Sequence, residues 1–487
     1  MANVLIAVPP MGASSVPPQL GVGYLATALR RAGHRVDLVH ADRTRMSEAD
    51  FVERVLSARP DVLGFTVVTM AYAPTRRICA ALRAKGYDGA IILGGPHATA
   101  LPELALRETG AAAVITGEGE RSTPALVDAL AAGRRLDAVP GVAFLDPASG
   151  RFRRTAPAPL VEALDELDMP AWDLMDPRRY PPAPHQLFYK RFPTAPVITS
   201  RGCRFNCSYC ASAIVWGHRY RLRSVEGVVE EARRLARAYG VRELHVVDDD
   251  FTADEGRVLA ICEALSRADL GLIWSLPNGI RTNTVTDRLA AALARAGCYQ
   301  AGLGIDVVEQ KQMRRVRKLR APDAARDAVS TLHRHGIEVR GFYLLGLDTD
   351  TAEDLARTTE VALDLPTEFA AFGLATPLPG SPDFARWSAD RDLRDFDWDS
   401  LSYFKARETE HLSADALQRA LRDAVLRFYL RPSTLARVAG RLHLRQGPLL
   451  ARGLFRYLSG RDAWRDGSLL GSRVKSFLFG GGHFSGG

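Results

Sequence analysis

The chain has 487 residues, 47% of them hydrophobic and 25% charged, which is typical of a globular protein with about three domains. No apolar run approaches the roughly 20 residues that span a bilayer, and the N-terminus lacks the basic region of a secretory signal. These features exclude an integral membrane protein and predict a cytoplasmic one. The formal charge of +8 lies in the tail from Arg431 onward, which has ten Lys or Arg against two Asp, so the rest of the chain is not a general binder of polyanions.

Residues 1–150 alternate short β-rich runs with helical patterns. Val22, Leu25 and Leu29 have the spacing of one buried helical face, and Gly33 follows as a stop signal. Strands that alternate with helices predict an α/β domain with a doubly wound parallel sheet and helices on both faces. The predicted strands lie in the segments NVLIAVP, RVDLVH, DVLGFTVVT, AIILGG, AAVIT and GVAFL.

Residues 151–190 are rich in proline and loop residues, which predicts a linker laid over the surface between two domains. A second alternating series occupies residues 191–390, with helices such as 225–239 and 287–296 between its strands. Six strands in such a series predict a partial (β/α)6 barrel, whose chemistry lies at the carboxyl ends of the strands. The predicted strands lie in APVITSRGC, ELHVVDDD, LIWSLPNGIR, QAGLGID, EVRGFYLLG and AAFGLATPLPG.

Residues 391–487 are predicted to form a helical, increasingly basic C-terminal domain. From Arg441 to Gly460 the chain alternates Arg with Leu, Phe and Tyr, which predicts an amphipathic helix. Such a helix either packs on the barrel or contacts an anionic membrane surface at the cytoplasmic face, and the sequence leaves both open. No recognition motif accompanies the charge, so we expect no nucleic-acid partner.

Three of the six cysteines, Cys203, Cys207 and Cys210, form a C-x3-C-x2-C motif after the first barrel strand. Six cysteines are too few for a disulfide framework in so long a chain, and a clustered trio indicates metal ligation or redox chemistry. Three thiolates of one loop can bind three irons of a cubane cluster and leave the fourth iron open, whereas zinc normally takes four ligands. We therefore expect an iron–sulfur cluster, and we expect the other three cysteines to be buried.

With the aromatic Tyr209 just before its last cysteine, this motif resembles that of the radical S-adenosylmethionine (SAM) superfamily. The resemblance implies a 4Fe-4S cluster on the three cysteines and SAM at the open iron. Acidic residues after the second strand would hold the SAM amino group, or else cap a helix, and the planar fork of Arg281 suits its carboxylate. Gly302 and Gly304 would let the backbone approach SAM, while Asp306 takes its ribose or amino acid part. The residues implied in SAM binding are Tyr209, Asp248, Asp249, Asp250, Asn278, Arg281, Gly302, Gly304, Asp306, Leu345 and Leu378.

The first domain resembles the cobalamin-binding domain found ahead of many radical SAM barrels. Four ordered segments at successive strand ends match it, namely PPQLGVGYLATALRRAGHRV, GFTVVT, GGPHAT and TGEGE. The G-x-G-x-x-A pattern in residues 21–26 does not indicate NAD binding, because its glycines do not directly follow a strand. The motif D-x-H-x-x-G is absent, so we expect cobalt without a histidine ligand. The residues implied in cobalamin binding are Pro10, Leu20, Gly21, Tyr24, Thr66, Val67, Gly94, Gly95, Pro96, His97, Glu118, Gly119 and Glu120.

The resemblance to class B radical SAM methyltransferases implies an enzyme of secondary metabolism that methylates an unactivated carbon of a small-molecule natural product or lipid. The reaction would proceed through a 5′-deoxyadenosyl radical and methylcobalamin. Because such a carbon has no acidic proton, the cofactors do the difficult chemistry, and we assign no further catalytic residue. The implied partner is an electron donor such as flavodoxin or ferredoxin. Two alternatives remain, a radical SAM cyclase or ring-rearrangement enzyme without net methyl transfer and a non-catalytic cobalamin-binding sensor.

Overall fold

The computed structural model describes residues 1–441 except 14, 183–184, 186–188, 322 and 395, and it describes only the backbone of 438–441. The predicted amphipathic tail therefore lies, apart from its first residue, outside the described residues. None of the helices in the described part of the chain is long and apolar enough to cross a membrane.

The N-terminal domain is built on a seven-stranded sheet in the order β2-β1-β3-β4-β5-β6-β7. Its first five strands are parallel, as the sequence predicts. β6 and β7 pair antiparallel with their neighbours, so the prediction that GVAFL continues the parallel series is wrong. The chain reverses between these two strands in a tight turn, where Gly150 has a φ of 65°. The strands are β1 Asn3–Val8, β2 Arg35–His40, β3 Val62–Thr66, β4 Ala90–Gly94, β5 Ala113–Ile115, β6 Val142–Leu145 and β7 Phe152–Arg154.

Two hydrophobic cores lie on opposite faces of this sheet because successive strand residues face opposite sides. Val4 and Ile6 of β1 belong to one core, and Leu5 and Ala7 belong to the other. Helices cover both cores, which confirms the doubly wound prediction. The helices of this domain are α1 Leu20–Arg31, α2 Ala41–Thr44, α3 Glu48–Ala58, α4 Thr69–Ala84, α5 Pro96–Ala100, α6 Pro102–Thr109 and α7 Ser122–Ala131.

The segment predicted as a surface linker is partly buried. Trp172 and Met175 belong to the core that both domains share, with exposures of 1% and 0%. The Trp172 indole N–H donates to Glu231 Oε1 at 2.9 Å. A Cβ added at Gly23 would lie 2.1 Å from Met175 Cε, so α1 packs closely on this segment. The surface-linker prediction is wrong here because the large apolar side chains between the prolines are buried between the two domains.

The second domain has six parallel strands in the order β15-β14-β13-β12-β11-β8. Each strand of this sheet pairs with the next one in the series, which is the strand order of the predicted partial barrel. A small antiparallel pair, β9 with β10, lies outside this sheet. α9 has the bounds that the sequence predicts. The strands are β8 Thr194–Val197, β9 Ser200–Arg201, β10 Arg221–Leu222, β11 Glu243–Val246, β12 Ile273–Ile280, β13 Cys298–Asp306, β14 Glu338–Leu345 and β15 Phe369–Leu374. The helices are α8 Ala213–Trp216, α9 Val225–Tyr239, α10 Glu255–Ala268, α11 Asp287–Arg295, α12 Gln310–Arg315, α13 Ala324–Arg334 and α14 Ala352–Asp364.

The described C-terminal segment returns to both domains. Trp398 is buried in the second core of the N-terminal sheet, where its ring meets His97 edge to face at 4.7 Å between centroids. The following helix packs on the barrel, since the Tyr429 hydroxyl donates to the Ala370 carbonyl at 2.6 Å. The helices of this segment are α15 Pro382–Ser388, α16 Ala414–Tyr429 and α17 Pro432–Arg441.

Candidate active site

One cavity of about 250 Å³ lies between the carboxyl ends of the two sheets. Val8 and Thr66, the last residues of β1 and β3, line it from the N-terminal domain. Cys203 and Asn278 line it from the barrel, and Tyr403 of the C-terminal segment closes a third side. Ligands of parallel α/β sheets bind at the carboxyl ends of the strands, and in this protein the carboxyl ends of both sheets face the same cavity.

Some of the predicted site residues line this cavity, and others do not. Those that line it are Cys203, Cys207, Cys210, Tyr209, Asp249, Asp250, Asn278, Arg281, Gly304, Asp306, Leu378, Thr66 and Pro96. Those that do not are Asp248, Gly302, Leu345, Pro10, Leu20, Gly21, Tyr24, Val67, Gly94, Gly95, His97, Glu118, Gly119 and Glu120.

The cysteine loop begins where β9 ends. Gly202 has a φ of 87°, and a Cβ there would lie 2.2 Å from the Arg219 carbonyl oxygen, so only glycine fits this turn. Cys203, Cys207 and Cys210 are free and partly exposed on the cavity wall. Burial raises the pKa of the Cys203 thiol to about 12 and also raises the pKa of Cys210.

The trio fits a cubane cluster better than a single ion. Among the described residues, no three His, Cys, Asp or Glu side chains form a group that could hold one metal ion. A cubane takes each thiolate on a different iron, so its ligands need not converge on one point. The other three cysteines are all buried, as predicted, at positions Cys79, Cys262 and Cys298.

The acidic segment after β11 divides into a structural residue and two cavity residues. Asp248 is buried and accepts hydrogen bonds from the Thr199 N–H at 2.6 Å and from its hydroxyl at 2.6 Å. Asp249 lines the cavity, and burial, reinforced by Asp248 and Asp250, raises its pKa to about 7. Burial also raises the pKa of Asp250, while Arg281 and Arg204 act against the rise. Asp249 and Asp250 are thus available to a cationic ligand, and Asp248 is not.

Unpartnered polar atoms of this segment and of Arg281 fit a zwitterionic ligand such as SAM. Asp250 Oδ2 and Arg281 Nε are buried and find no hydrogen-bond partner among the described residues. The Arg281 guanidinium carbon lies 3.6 Å from the ring centroid of Phe205, which fixes it over the cysteine loop. The Asn278 amide N–H donates to the Val247 carbonyl at 2.6 Å. A carboxylate and a guanidinium that face one cavity match the amino and carboxylate groups of an amino acid.

The glycines of β13 make room for side chains rather than only for a ligand. A Cβ at Gly302 would lie 2.5 Å from Phe342 Cε2, so this position accommodates the Phe342 ring and does not reach the cavity. A Cβ at Gly304 would lie 2.5 Å from Lys318 Nζ. Lys318 forms an ion pair with the buried Asp306, whose φ is 55°. Lys318 therefore already neutralises the carboxylate that was expected to bind SAM.

Of the two leucines predicted to bind SAM, only one lines the cavity. Leu378 lines it, whereas Leu345 is fully buried in the hydrophobic core. Side chains alternate along β14, so its neighbour Leu344 faces the cavity instead.

On the cobalamin side, the cavity wall is mostly apolar, with Met11, Val68 and Met70 beside Thr66 and Pro96. The wall is also closely built, since a Cβ at Gly95 would lie 2.8 Å from the Val67 backbone nitrogen. These features fit a large ligand that approaches backbone at the strand ends.

His97 lies behind this wall. Its ring stacks on Tyr72 at 4.1 Å between centroids, and its Nδ1 lies 3.2 Å from the Thr69 hydroxyl. Burial lowers the pKa of His97 to about 3, so the ring is neutral. Gly119 also serves packing, because a Cβ there would lie 2.9 Å from Leu25 Cδ2.

Tyr24, Glu118 and Glu120 belong to a buried ion network between the domains, which we call the Arg201 network. Arg201 Nη1 lies 3.0 Å from Glu118 Oε1, and its Nη2 lies 2.6 Å from Glu120 Oε1. Arg221 Nη1 lies 2.8 Å from the same Glu118 carboxylate. The guanidinium carbon of Arg201 is 5.1 Å from the Tyr24 ring centroid. Because Arg201 directly precedes the cysteine loop, the network joins the loop after β5 of the N-terminal sheet to the start of the cysteine loop.

Sequence reasoning missed several residues of the site, namely Arg201, Phe205, Lys318, Phe342 and Tyr403. Arg201 lies in the sequence SRGC at the end of the first barrel strand, and the segment TGEGE contains two acidic residues. Their opposite charges are a sequence signal from which this pairing could have been predicted. Lys318 lies in a basic sequence between two strands and not at a strand end, so its position in the sequence does not indicate a site residue.

Comparison with known proteins identifies two regions. A model described as the B12 binding domain matches residues 13–127, and a model described as the Radical SAM superfamily matches residues 197–362. The chain is 30% identical over 441 residues to an uncharacterized methyltransferase of Pyrococcus horikoshii, covering 89% of this chain and 94% of the relative. It is 28% identical over 420 residues to an anaerobic magnesium-protoporphyrin IX monomethyl ester cyclase of Rubrivivax gelatinosus, covering 85% of this chain and 73% of the relative.

Among solved structures, the fold resembles a radical S-adenosylmethionine methyltransferase, TsrM, of Kitasatospora setae with cobalamin and a [4Fe-4S] cluster bound. The TM-score is 0.64 at 18% identity, and the match covers 80% of this chain and 78% of that chain. This likeness concerns the fold, which is an N-terminal α/β domain followed by a partial barrel.

Proposed function

Because this chain belongs to the family of cobalamin-dependent radical SAM enzymes, we propose that it methylates an unactivated carbon of a small molecule. Its cofactors are cobalamin, SAM and a 4Fe-4S cluster. Bound together, these groups supply one-electron cleavage of SAM and a transferable methyl group. The assignment as an enzyme also makes the alternative of a non-catalytic sensor unnecessary.

The observation that supports this proposal most strongly is the single cavity that both domains share. The cysteine trio and the carboxyl ends of β1 and β3 line the same space, so ligands of the two domains would meet without a wall between them. Reactants held in contact distance react as if at very high concentration, which is the advantage of such an arrangement.

The chain's own residues bind, orient and shield the reactants. The three cysteines would hold the cluster, and Asp249, Asp250 and Arg281 would hold the amino and carboxylate groups of SAM. Phe342 and Leu344 line the barrel side of the cavity, and Tyr403 covers it from the C-terminal segment. These apolar groups exclude water, which protects reactive species from side reactions.

The partners beyond a small-molecule substrate belong to this proposal as well. An electron donor such as flavodoxin or ferredoxin is required by the one-electron chemistry. A narrower form of the proposal is that the substrate is a lipid and that the tail from Arg441 contacts the membrane. Co-sedimentation of the protein with anionic vesicles, with and without that tail, tests this form.

A second candidate function is cyclisation or rearrangement without net methyl transfer. The resemblance to the Rubrivivax gelatinosus cyclase at 28% identity favours it as a candidate. Both functions use the same cofactors, so the residues of the cavity do not separate them.

Product analysis separates the two functions. The enzyme, with cluster and cobalamin reconstituted, is incubated with reductant, methyl-deuterated SAM and a small-molecule extract of the organism that encodes it. Methylation predicts S-adenosylhomocysteine together with 5′-deoxyadenosine and a product that contains the labelled methyl group. Deoxyadenosine with an unlabelled, altered product would show that the second candidate is correct.

A further inference from the structure

The most basic part of the described chain lies against the cysteine loop. Residues 311–320, with the sequence KQMRRVRKLR, contain six Lys or Arg and no acidic residue. The segment forms the end of α12 and the turn after it, where Arg317 has a φ of 58°. Outside the tail from Arg431 the whole chain has no net charge, so this surplus is a local feature.

Direct contacts hold this segment on the loop that bears the cluster ligands. The Ser208 N–H, between Cys207 and Cys210, donates to the Val316 carbonyl at 3.1 Å. Arg315 Nη1 lies 3.3 Å from the Ser208 hydroxyl. The inner side of the segment packs into a small core with Tyr209. Only one layer of residues therefore separates the outer side of the segment from the cysteine loop.

Acidic neighbours neutralise some cations of the segment and leave others free. Lys311 lies 2.7 Å from Asp354 Oδ1, and Arg315 lies 3.1 Å from Asp383 Oδ1 and also pairs with Asp348. Lys318 pairs with the buried Asp306, as described above.

Arg320 is half-buried and donates to the Ile305 carbonyl at 2.8 Å, which leaves two exposed arginines together with an apolar side chain. Arg314 and Arg317 are exposed and form no ion pair with any residue in the described part of the chain. Leu319, two residues after Arg317, has an exposure of 58%, which is unusual for a leucine. We call Arg314, Arg317 and Leu319 the basic face.

We propose that the basic face is the docking site of an acidic one-electron carrier protein of the flavodoxin or ferredoxin class. The proposal rests on the proposed function, which needs one electron for each cleavage of SAM. The carrier is oxidised by one electron, the cluster on the three cysteines is reduced by one electron, and no bond forms or breaks between the two proteins.

The features of the face fit this occupant. Positive charge steers a negative partner and raises the association rate by about 10- to 1,000-fold. Electron-transfer complexes are small and transient, with less than about 1,200 Å² buried, so two cations around one apolar side chain match their scale. The segment that carries the face is hydrogen-bonded to the cysteine loop at Ser208, so a carrier docked there would lie close to the cluster ligands.

Charge reversal tests the proposal in the full-length, cluster-loaded enzyme. The variant Arg314→Glu/Arg317→Glu is compared with Arg151→Glu/Arg154→Glu, which makes the same charge change on exposed residues at the edge of the N-terminal sheet. Cluster reduction is followed by stopped flow with reduced flavodoxin, with reduced ferredoxin and with dithionite as a small-molecule reductant. We expect reduction by the carriers to slow at least about tenfold at low salt in the first variant only. The difference should shrink at high salt, while reduction by dithionite stays unchanged.

Other outcomes would overturn the proposal. Equal rates with both carriers in the wild type and the first variant would show that the electron enters elsewhere. If the variant instead loses only binding to vesicles of phosphatidylglycerol, the face is a membrane contact. Failure of this proposal is distinct from failure of the proposed function, because dithionite-driven SAM cleavage and methylation do not depend on the carrier. A milder variant, Leu319→Ser, should weaken carrier binding without altering the salt dependence.

Discussion

Two acidic segments follow parallel strands, one after β5 of the N-terminal sheet and one after β11 of the barrel, and they have opposite surroundings. Glu118 and Glu120 contact the buried guanidinium of Arg201, whose pKa rises above its ordinary value because Glu120 and Glu118 outweigh the effect of burial. Asp249 and Asp250 face the cavity, and burial raises the pKa of both carboxyl groups.

The difference teaches how one sequence signal can serve two tasks. A buried carboxylate is stable only when it is paired or hydrogen-bonded. The other domain supplies the partner for the first pair, so these residues join the two domains. Asp249 is only partly buried, and the described residues supply its carboxylate with no hydrogen bond, so this carboxylate is available to a ligand. The first segment is structural, and the second is the one that we assign to SAM.

The largest effect is expected from removing the three cysteines, since SAM binding by Asp249 and Asp250 in the cavity depends on the cluster that these cysteines would hold. The variant Cys203→Ala/Cys207→Ala/Cys210→Ala should lose all reconstituted iron and sulfide, because no thiolate remains in the cavity. Cys262→Ala, which removes a buried cysteine of the barrel, should keep the full content. Iron and sulfide analysis after anaerobic reconstitution decides between them, and iron retained by the triple variant would refute the assignment.

The Arg201 network is expected to have the next largest effect. Arg201→Leu leaves Glu118 and Glu120 buried without their main partner, and breaking a buried ion pair in this way costs about 3–5 kcal/mol. The control Arg121→Leu removes an exposed pair with Glu166 and should cost less than about 1 kcal/mol. Chemical denaturation measures both, and equal losses in the two variants would contradict the structural role.

A smaller effect is expected at Gly302. The added methyl group of Gly302→Ala meets the Phe342 ring, and overpacking of this kind costs about 1–3 kcal/mol. Gly256→Ala, where the nearest atom lies 3.5 Å from the new Cβ, should leave stability unchanged or slightly raised. If Gly302→Ala lowers SAM affinity without changing stability, the glycine faces the ligand after all.

Much of the fold can be predicted from the sequence, because local patterns determine it. α9 has the predicted bounds since its apolar spacing, its Ser224 cap and the following Gly240 agree. The six barrel strands are recognisable as apolar runs that end in polar residues. The direction of β6 could not be predicted, since an apolar run of four residues does not reveal whether it pairs parallel or antiparallel.

The site is only partly predictable, because its assignments depend on contacts distant in the chain. Local sequence places Glu118 at a strand end, but its partner Arg201 lies in the other domain. Asp306 likewise looked like a ligand-binding residue, and the structure pairs it with Lys318 from a loop. Pairs of this kind require the tertiary structure.

The central claim is that the acidic segment after β5 joins the two domains and that the segment after β11 binds SAM. The most direct test measures two properties in one variant of each segment. Glu118→Gln and Asp249→Asn each replace a carboxyl group by an amide of nearly the same shape. For both variants, the free energy of unfolding and the SAM dissociation constant of the cluster-loaded enzyme are measured.

We predict that Glu118→Gln lowers the unfolding free energy by about 1–3 kcal/mol and leaves the SAM dissociation constant within about twofold. Asp249→Asn should leave stability unchanged or higher and weaken SAM binding at least tenfold, which corresponds to about 1.4 kcal/mol. The reverse pattern, in which Glu118→Gln weakens SAM binding and Asp249→Asn destabilises the fold, would contradict the account.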